Sequence, residues 1–287
     1  MKLVSLVNPE YWIALETLAW SLSRNGKIEG LEWIVIWDGP AVDGWYEWMR
    51  FCGFYPRYLS VDDFSISVPE FPVPKGSHVQ PARNKLLVWL LPPDDIYVLL
   101  DVDMVCKQNA RELLTLKPTC AHKRPGVNDF CSGMLVIEPS ADAFNEMIND
   151  IIPNQESWKF ADQEIINIYY NRHGWKRIPW KWNLSHYEER RQFHWHKLFK
   201  EAIFVHYHGS KKPWHGLTIG QEQSFLLWHT CHTKALEDYR YKCKKSYDVK
   251  SKRNAMEAAY EIKEALEAGK KISVFEEKSK TVKLFWK

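Results

Sequence analysis

No apolar run in this chain of 287 residues approaches the roughly 20 residues that a membrane-spanning helix needs. The longest such runs are strand-sized. No Cys-x-x-Cys pair occurs among the six cysteines, at positions 52, 106, 120, 131, 231 and 243. His229, Cys231 and His232 lie close together but lack a second ligand pair at zinc-finger spacing. Met1–Val7 is too short for the apolar core of a signal peptide, because Asn8, Pro9 and Glu10 follow at once. The expectation is a cytoplasmic protein with reduced thiols. No internal repeat is seen either.

What is there is globular in composition: 45% hydrophobic and 26% charged, at a length that suits one large α/β domain or two small ones. The net charge of +3 is unevenly spread. Residues 1–232 carry 24 basic and 27 acidic side chains, whereas residues 233–287 carry 15 and 9. The expected organisation is one compact domain over 1–232 and a basic, mostly helical extension over 233–287. Within the extension, Arg240 to Arg253 holds seven basic residues, one acid and two tyrosines. That pattern suits a solvated surface, an anionic membrane surface or nucleic acid. Fifteen tryptophans are present, most of them expected in the core, with a minority lining a cleft for an acceptor.

The pattern predicts alternating strands and helices over the first hundred residues. Leu3–Val7 reads as a strand, Asn8 as a cap and Pro9 as the first helical position. Trp12, Leu15, Leu18, Ala19 and Leu22 form one apolar stripe, closed by Asn25-Gly26. Leu31–Trp37 is a second strand, and Asp43 is placed to cap a short helix carrying Trp45, Trp48 and Met49. Residues 56–80 read as loop around a short strand. Pro81 opens a helix through Leu91, and a strand then ends at Leu100. Further on, strands are predicted at Phe130–Ile137 and Ile203–His208. Helices are predicted at 141–152, 161–171, 222–232 and 254–268. The alternation argues for a doubly wound sheet.

Asp101-Val102-Asp103 stands where the apolar strand ends. Open α/β sheets bind ligands at that edge. Two carboxylates one residue apart suit Mn²⁺ or Mg²⁺, ions that commonly bridge to substrate phosphates. Downstream, His206 adds an imidazole, Gly209 a turn that lets backbone approach a phosphate, and Lys212 a positive charge. This inventory can stabilise a departing nucleoside diphosphate.

At this point the chain resembles glycosyltransferase family 8, retaining enzymes that include glycogenin and bacterial lipopolysaccharide galactosyltransferases. The resemblance runs through residues 3–216 as ordered motifs. They are Val7-Asn8 with Tyr11, Lys85-Leu86 with Trp89, Asp101-x-Asp103, and Cys131-Ser132-Gly133. Asp162-Gln163 with Asn167, Ile178-Pro179 with Trp182-Asn183, and His206-x-x-Gly209-x-x-Lys212-Pro213-Trp214 complete the series. It implies a GT-A fold, with a single Rossmann-like mixed sheet flanked by helices. It implies that Asp101, Asp103 and His206, rather than His208, hold Mn²⁺, and that Gly209 and Lys212 meet the diphosphate of a UDP-sugar. Val7, Asn8 and Tyr11 would receive the uridine, with Val102, Ser132 and Gly133 also at the donor. Lys85, Asp162 and Gln163 would surround the sugar. Where the family carries Asn, this chain has Cys131. A thiol does not donate and accept as an amide does, so the departure bears on the sugar hydroxyls and not on the metal.

The implied reaction is hexosyl transfer, of glucose or galactose, with retention at the anomeric carbon. Two routes stay open: Asp162 as nucleophile with Gln163 steadying the positive ring, or attack from the face the leaving group vacates, with the phosphate as base. The acceptor stays open among a glycan or lipopolysaccharide, a protein and a modified DNA base. The rival class is a protein that binds a nucleotide-sugar or polyanion without turnover.

Overall fold

The computed structural model describes residues 1–71, 82–118, 120–123, 129–154, 162–191, 194–216 and 221–247, with strands at 272–275 and 283–286. The chain divides into two compact units, Met1–Ala235 and Leu236–Lys287.

Twelve strands are described. In chain order they are β1 (Lys2–Val7), β2 (Glu32–Trp37), β3 (Tyr55–Ser60), β4 (Tyr97–Leu100), β5 (Met104–Cys106), β6 (Cys120–Lys123), β7 (Phe130–Ile137), β8 (Lys176–Ile178), β9 (Leu184–Ser185), β10 (Phe204–His206), β11 (Ile272–Phe275) and β12 (Lys283–Trp286). Seven of them form one mixed sheet in the order β3-β2-β1-β4-β7-β6-β8. β1 to β4 run parallel, and β7 is antiparallel to β4. The interior strands β1, β2 and β4 are almost wholly buried, which is why they read as continuous apolar runs. Ser5 is the polar exception inside β1. Its hydroxyl donates to the Leu100 carbonyl at 2.7 Å and accepts from the Trp33 indole at 3.2 Å. The burial therefore leaves no unmet polar group there.

Helices close both faces. α1 (Trp12–Arg24) follows a 3₁₀ turn at Pro9–Tyr11, and buries Leu15, Leu18, Ala19 and Leu22 of the expected stripe, while Trp12 at its start stays half-buried. α2 (Trp45–Phe51) starts from Gly44, at φ 81°, and takes no side-chain cap. The expected Asp43 cap is thus replaced by a left-handed glycine. Ile152–Asn154 closes, as a 3₁₀ turn, a helix that begins as α3 (Ala141–Glu146) and passes through a π turn. α4 (Asp162–His173) follows. α5 (Glu188–Arg191), α6 (Trp195–Glu201) and α7 (Glu222–Tyr247) complete the described set. α7 runs well beyond the expected end at His232. The helix expected before β4 is a 3₁₀ helix, Arg83–Leu90, with Lys85 to Trp89 all buried. A segment with no solvent face over five residues is shaped by its neighbours more than by propensity. Pro81, the expected start, and the helix expected at 254–268 lie outside the described residues.

In the second unit, β11 and β12 pair antiparallel, with Ile272 opposite Trp286. Their β-branched and aromatic residues favour extended backbone, a signal the helical expectation for the extension passed over. Among the described residues, no helix is long and apolar enough to cross a membrane. Cys52, Cys106, Cys131, Cys231 and Cys243 are free thiols.

Glu16 on α1 carries a measurable consequence. Burial pushes its carboxyl up to about 7, only partly offset by the Trp12 side chain. A folded-state value above the ordinary one means that stability is full at low pH and falls as pH rises towards 7 and beyond. Glu16→Gln is expected to match the parent at pH 5 and exceed it at pH 8. The gain is on the order of 1 kcal/mol after allowance for solvent screening. Chemical denaturation at the two pH values checks this.

Candidate functional site

β1 and β4 are neighbours, so their C-terminal ends deliver Asn8 and Asp101 to one edge of the sheet. Asp101 is fastened there by its backbone N–H, which donates to the Gly133 carbonyl at 2.8 Å. The chain then turns through Asp103 into β5. β10 lies antiparallel to β5 with His206 opposite Met104, one residue past Asp103. Register alone thus brings an imidazole to the carboxylate pair across about a hundred positions of sequence. His206 Nε2 stands 3.2 Å from Asp103 Oδ1 and 3.7 Å from Asp101 Oδ2. One ligand atom from each of the three residues lies within 4.8 Å of the others. Two carboxylate oxygens and one imidazole nitrogen are a donor set that fits Mn²⁺ or Mg²⁺.

The imidazole is held from behind. Its Nδ1 lies 2.9 Å from Asn183 Oδ1 and 3.6 Å from Cys131 Sγ. The thiol thus reaches the imidazole of the Asp-Asp-His cluster, contrary to the expectation that Cys131 leaves the metal untouched; β10 brings the ring against β7. An amide oxygen only accepts, so Nδ1 carries a proton and Nε2 faces the carboxylates. Asn183 precedes β9, which runs parallel to β10 with Ser185 beside His206. The ring also crowds Gly133, where a Cβ would meet His206 Cε1 at 2.3 Å. His208, two positions on, is spent elsewhere: its Nε2 lies 2.7 Å from Ser185 Oγ. Burial pushes His208 down to about 3, so it stays neutral.

Two lysines neutralise the carboxylates. Lys85 is buried on the 3₁₀ helix, with Nζ 2.7 Å from Asp101 Oδ1 and 2.9 Å from Asp162 Oδ2. Burial alone would lower it, but Asp101 and Asp162 more than reverse that and hold it charged. Lys212 is buried against Asp103 Oδ2, and its Nζ also donates to the Tyr207 carbonyl at 2.8 Å. The two aspartates diverge as a result. Burial, with Asp103 as neighbour, raises Asp101 despite Lys85. Burial would raise Asp103 too, but Lys212 and His206 hold it well below the ordinary carboxylate range. Burial would lower His206, yet Asp103 and then Cys131 lift it to about 10.

Asp162 opens α4, where its Oδ2 also accepts from Ser132 Oγ at 3.0 Å. Gln163 Oε1 accepts from the Ser132 N–H at 3.2 Å. Asn167, one turn on, clamps both backbone groups of Phe130 at 2.8 and 2.9 Å. α4 and β7 are therefore locked in register around Ser132 and Gly133. Val102 packs its side chain into the core. Val7 ends β1, and Asn8 Oδ1 accepts from the Tyr11 N–H at 3.0 Å, which fixes the turn that presents Tyr11. The Tyr11 ring meets Trp214 edge-on at 5.3 Å, and Lys212 Nζ lies 5.4 Å from the Tyr11 ring centre. Gly209 has φ 84°, and a Cβ there would come within 2.8 Å of Tyr187 Oη. Side chains from all seven motifs thus converge on one sheet edge.

Sequence reasoning assigned no role to Asn183 or Tyr187. Asn183 was visible in its motif, but its contact with His206 depends on the β9–β10 pairing. His229, Cys231 and His232 form no metal-ligating group among the described residues. His232 Nδ1 lies 3.1 Å from Thr17 Oγ1, and Asn25 donates to Cys231 Sγ at 3.8 Å.

A family profile described as Glycosyl transferase family 8 matches residues 118–218. Glycogenin-1 of Caenorhabditis elegans is 26% identical over 171 residues, covering 54% of this chain and 39% of that protein. Lipopolysaccharide 1,2-glucosyltransferase of Escherichia coli is 27% identical over 179 residues, covering 56% and 49%. The chain thus spans less than half the length of these relatives. Among solved structures, the glycosyltransferase GlyE of Streptococcus pneumoniae superposes with a TM-score of 0.65 at 16% identity, covering 84% of this chain and 63% of that one. The galactosyltransferase LgtC, solved with donor and acceptor sugar analogues, gives 0.56 at 15% identity, covering 82% and 96%. These likenesses show a fold of the GT-A type.

Proposed function

We propose that the chain is a member of glycosyltransferase family 8: a retaining, Mn²⁺-dependent transferase that moves a hexose, glucose or galactose, from a UDP-sugar to an acceptor hydroxyl, a reading supported by the profile match and the two curated relatives. The observation that carries the reading is the convergence of Asp101, Asp103 and His206 at the sheet edge. These three would hold the cation, which when bound neutralises charge on the leaving diphosphate. Gly209, with no room for a side chain, presents bare backbone to the phosphates, and Lys212 adds a positive charge. Val7, Asn8 and Tyr11 receive the uridine. The backbone at Val102 and Gly133, with Lys85, Ser132, Asp162 and Gln163, surrounds the donor. Asp162 Oδ2 is occupied by both Lys85 and Ser132. A carboxylate so engaged is a poor nucleophile, which favours attack from the leaving-group face. The acceptor is a glycan or lipopolysaccharide, a protein or a modified DNA base. The basic extension would dock on an anionic membrane or nucleic acid, within the cytoplasm.

The deciding assay is a panel of UDP-sugars with Mn²⁺, reading released UDP with and without lipid, glycan and DNA acceptors. Mn²⁺-dependent release from at least one donor is the expected result. UDP binding with no release from any donor would instead identify a non-catalytic nucleotide-sugar binder.

Asn183 gives a graded test. Asn183→Ala removes the acceptor that orients His206, and is expected to weaken Mn²⁺ binding about 10- to 100-fold. Asn183→Asp restores an acceptor oxygen and is expected to recover most of that loss. Titration calorimetry with Mn²⁺ and UDP reads both.

A further inference from the structure

Lys212 is a displaceable internal cation. Its ammonium sits on Asp103 Oδ2, one of the oxygens of the carboxylate pair that faces His206. Its second partner is the Tyr207 carbonyl at 2.8 Å, and its Nζ lies 5.4 and 5.9 Å from the ring centres of Tyr11 and Trp214. The residue is only 5% exposed, so water does little to stabilise the ammonium. Lys85 does the equivalent for Asp101, but it is shared with Asp162 and so keeps a carboxylate partner whatever happens at Asp101. Among the described residues, no second carboxylate pairs with Lys212. A divalent cation taking Asp103, with Asp101 also among its ligands, would strip Lys212 of the carboxylate it pairs with and leave a buried charge poorly compensated, a costly state. An arriving diphosphate would supply a replacement anion.

We propose that Lys212 competes with the divalent cation for Asp103 until a diphosphate accepts it, so that cation and nucleotide diphosphate bind cooperatively and each is weak without the other. The inference rests on the metal and diphosphate roles proposed above and adds their coupling. That coupling is reciprocal: UDP tightens Mn²⁺ by the same factor by which Mn²⁺ tightens UDP.

The test is Mn²⁺ binding to the whole chain, by titration calorimetry and by the Mn²⁺ electron paramagnetic resonance signal, with and without UDP. The wild type is expected to bind Mn²⁺ at least tenfold more tightly with UDP than without. Lys212→Met removes the competitor, so Mn²⁺ alone is expected to bind at least tenfold more tightly than it does to wild type, and UDP adds much less. Lys212→Gln serves as a second variant if the methionine is poorly tolerated. Thermal unfolding gives an independent readout: Mn²⁺ alone should raise the unfolding temperature of either variant more than that of wild type, because it supplies the missing counter-ion to Asp103. Mn²⁺ binding to the variants equal to or weaker than wild type without UDP would overturn the coupling. If His206→Ala still abolished Mn²⁺ binding in that case, the metal site itself would stand. Absence of Mn²⁺ binding by wild type with and without UDP would overturn both.

Discussion

His206→Ala and Asp103→Asn are each expected to lower Mn²⁺-dependent UDP release by about 10³-fold or more, since charge neutralisation by a catalytic metal supplies several kcal/mol. Asn at 103 keeps an oxygen for Lys212, so the loss isolates the charge rather than the packing. His206 contributes the sole imidazole among the converging ligand atoms. The same substitution at His208, whose Nε2 is engaged with Ser185, is expected to leave the Mn²⁺ requirement in place. Far-UV circular dichroism and the unfolding temperature would separate a lost site from a lost fold. Full turnover by His206→Ala would remove the basis for the metal assignment.

The parallel half of the sheet was legible because buried strands carry continuous apolar runs with turn residues at their ends. β1, β2 and β4 fall within a residue or two of where the pattern puts them. β6 and β8 were not seen, since short strands with polar residues carry little periodic signal. The helix before β4 was legible as a helix, but its 3₁₀ form was not, because burial on every side erased the amphipathic stripe that distinguishes helical forms. At the site, the motifs named the residues but not their pairings. Lys85 reads as an ordinary helical lysine until Asp101 and Asp162 are both found within 3 Å of it. The choice of His206 over His208 came from the spacing to Gly209; the register of β10 against β5 supplies its physical reason, by setting one imidazole against the carboxylates and the other against Ser185.

Gly133 makes the largest demand on a position that performs no chemistry. An added Cβ would lie 2.3 Å from His206 Cε1 and 2.7 Å from Nδ1. Neither side can retreat freely. β7 is hydrogen-bonded between β4 and β6, and the Gly133 carbonyl also anchors Asp101. The imidazole is held by Asn183 behind and faces the carboxylates in front. Gly133→Ala is therefore expected to cost about 1–3 kcal/mol of stability, as overpacking of a filled interior does. It should also weaken Mn²⁺ binding by at least about tenfold, because the ring is pushed off its line to Asp101 and Asp103. The decisive measurement is a double-mutant cycle with His206→Ala. If the ring is the obstacle, Gly133→Ala should cost far less in that background, giving a coupling of roughly 1–3 kcal/mol. An unchanged cost would place the strain in the β7 backbone instead. Gly30 offers a contrast, with φ +76° and nothing within 4 Å of a Cβ. Gly30→Ala should lose stability through backbone strain alone, of order 1 kcal/mol, and leave Mn²⁺ affinity unchanged. Loss of stability at both glycines but of metal affinity only at Gly133 would establish that this strand residue is small so that the imidazole can lie across it.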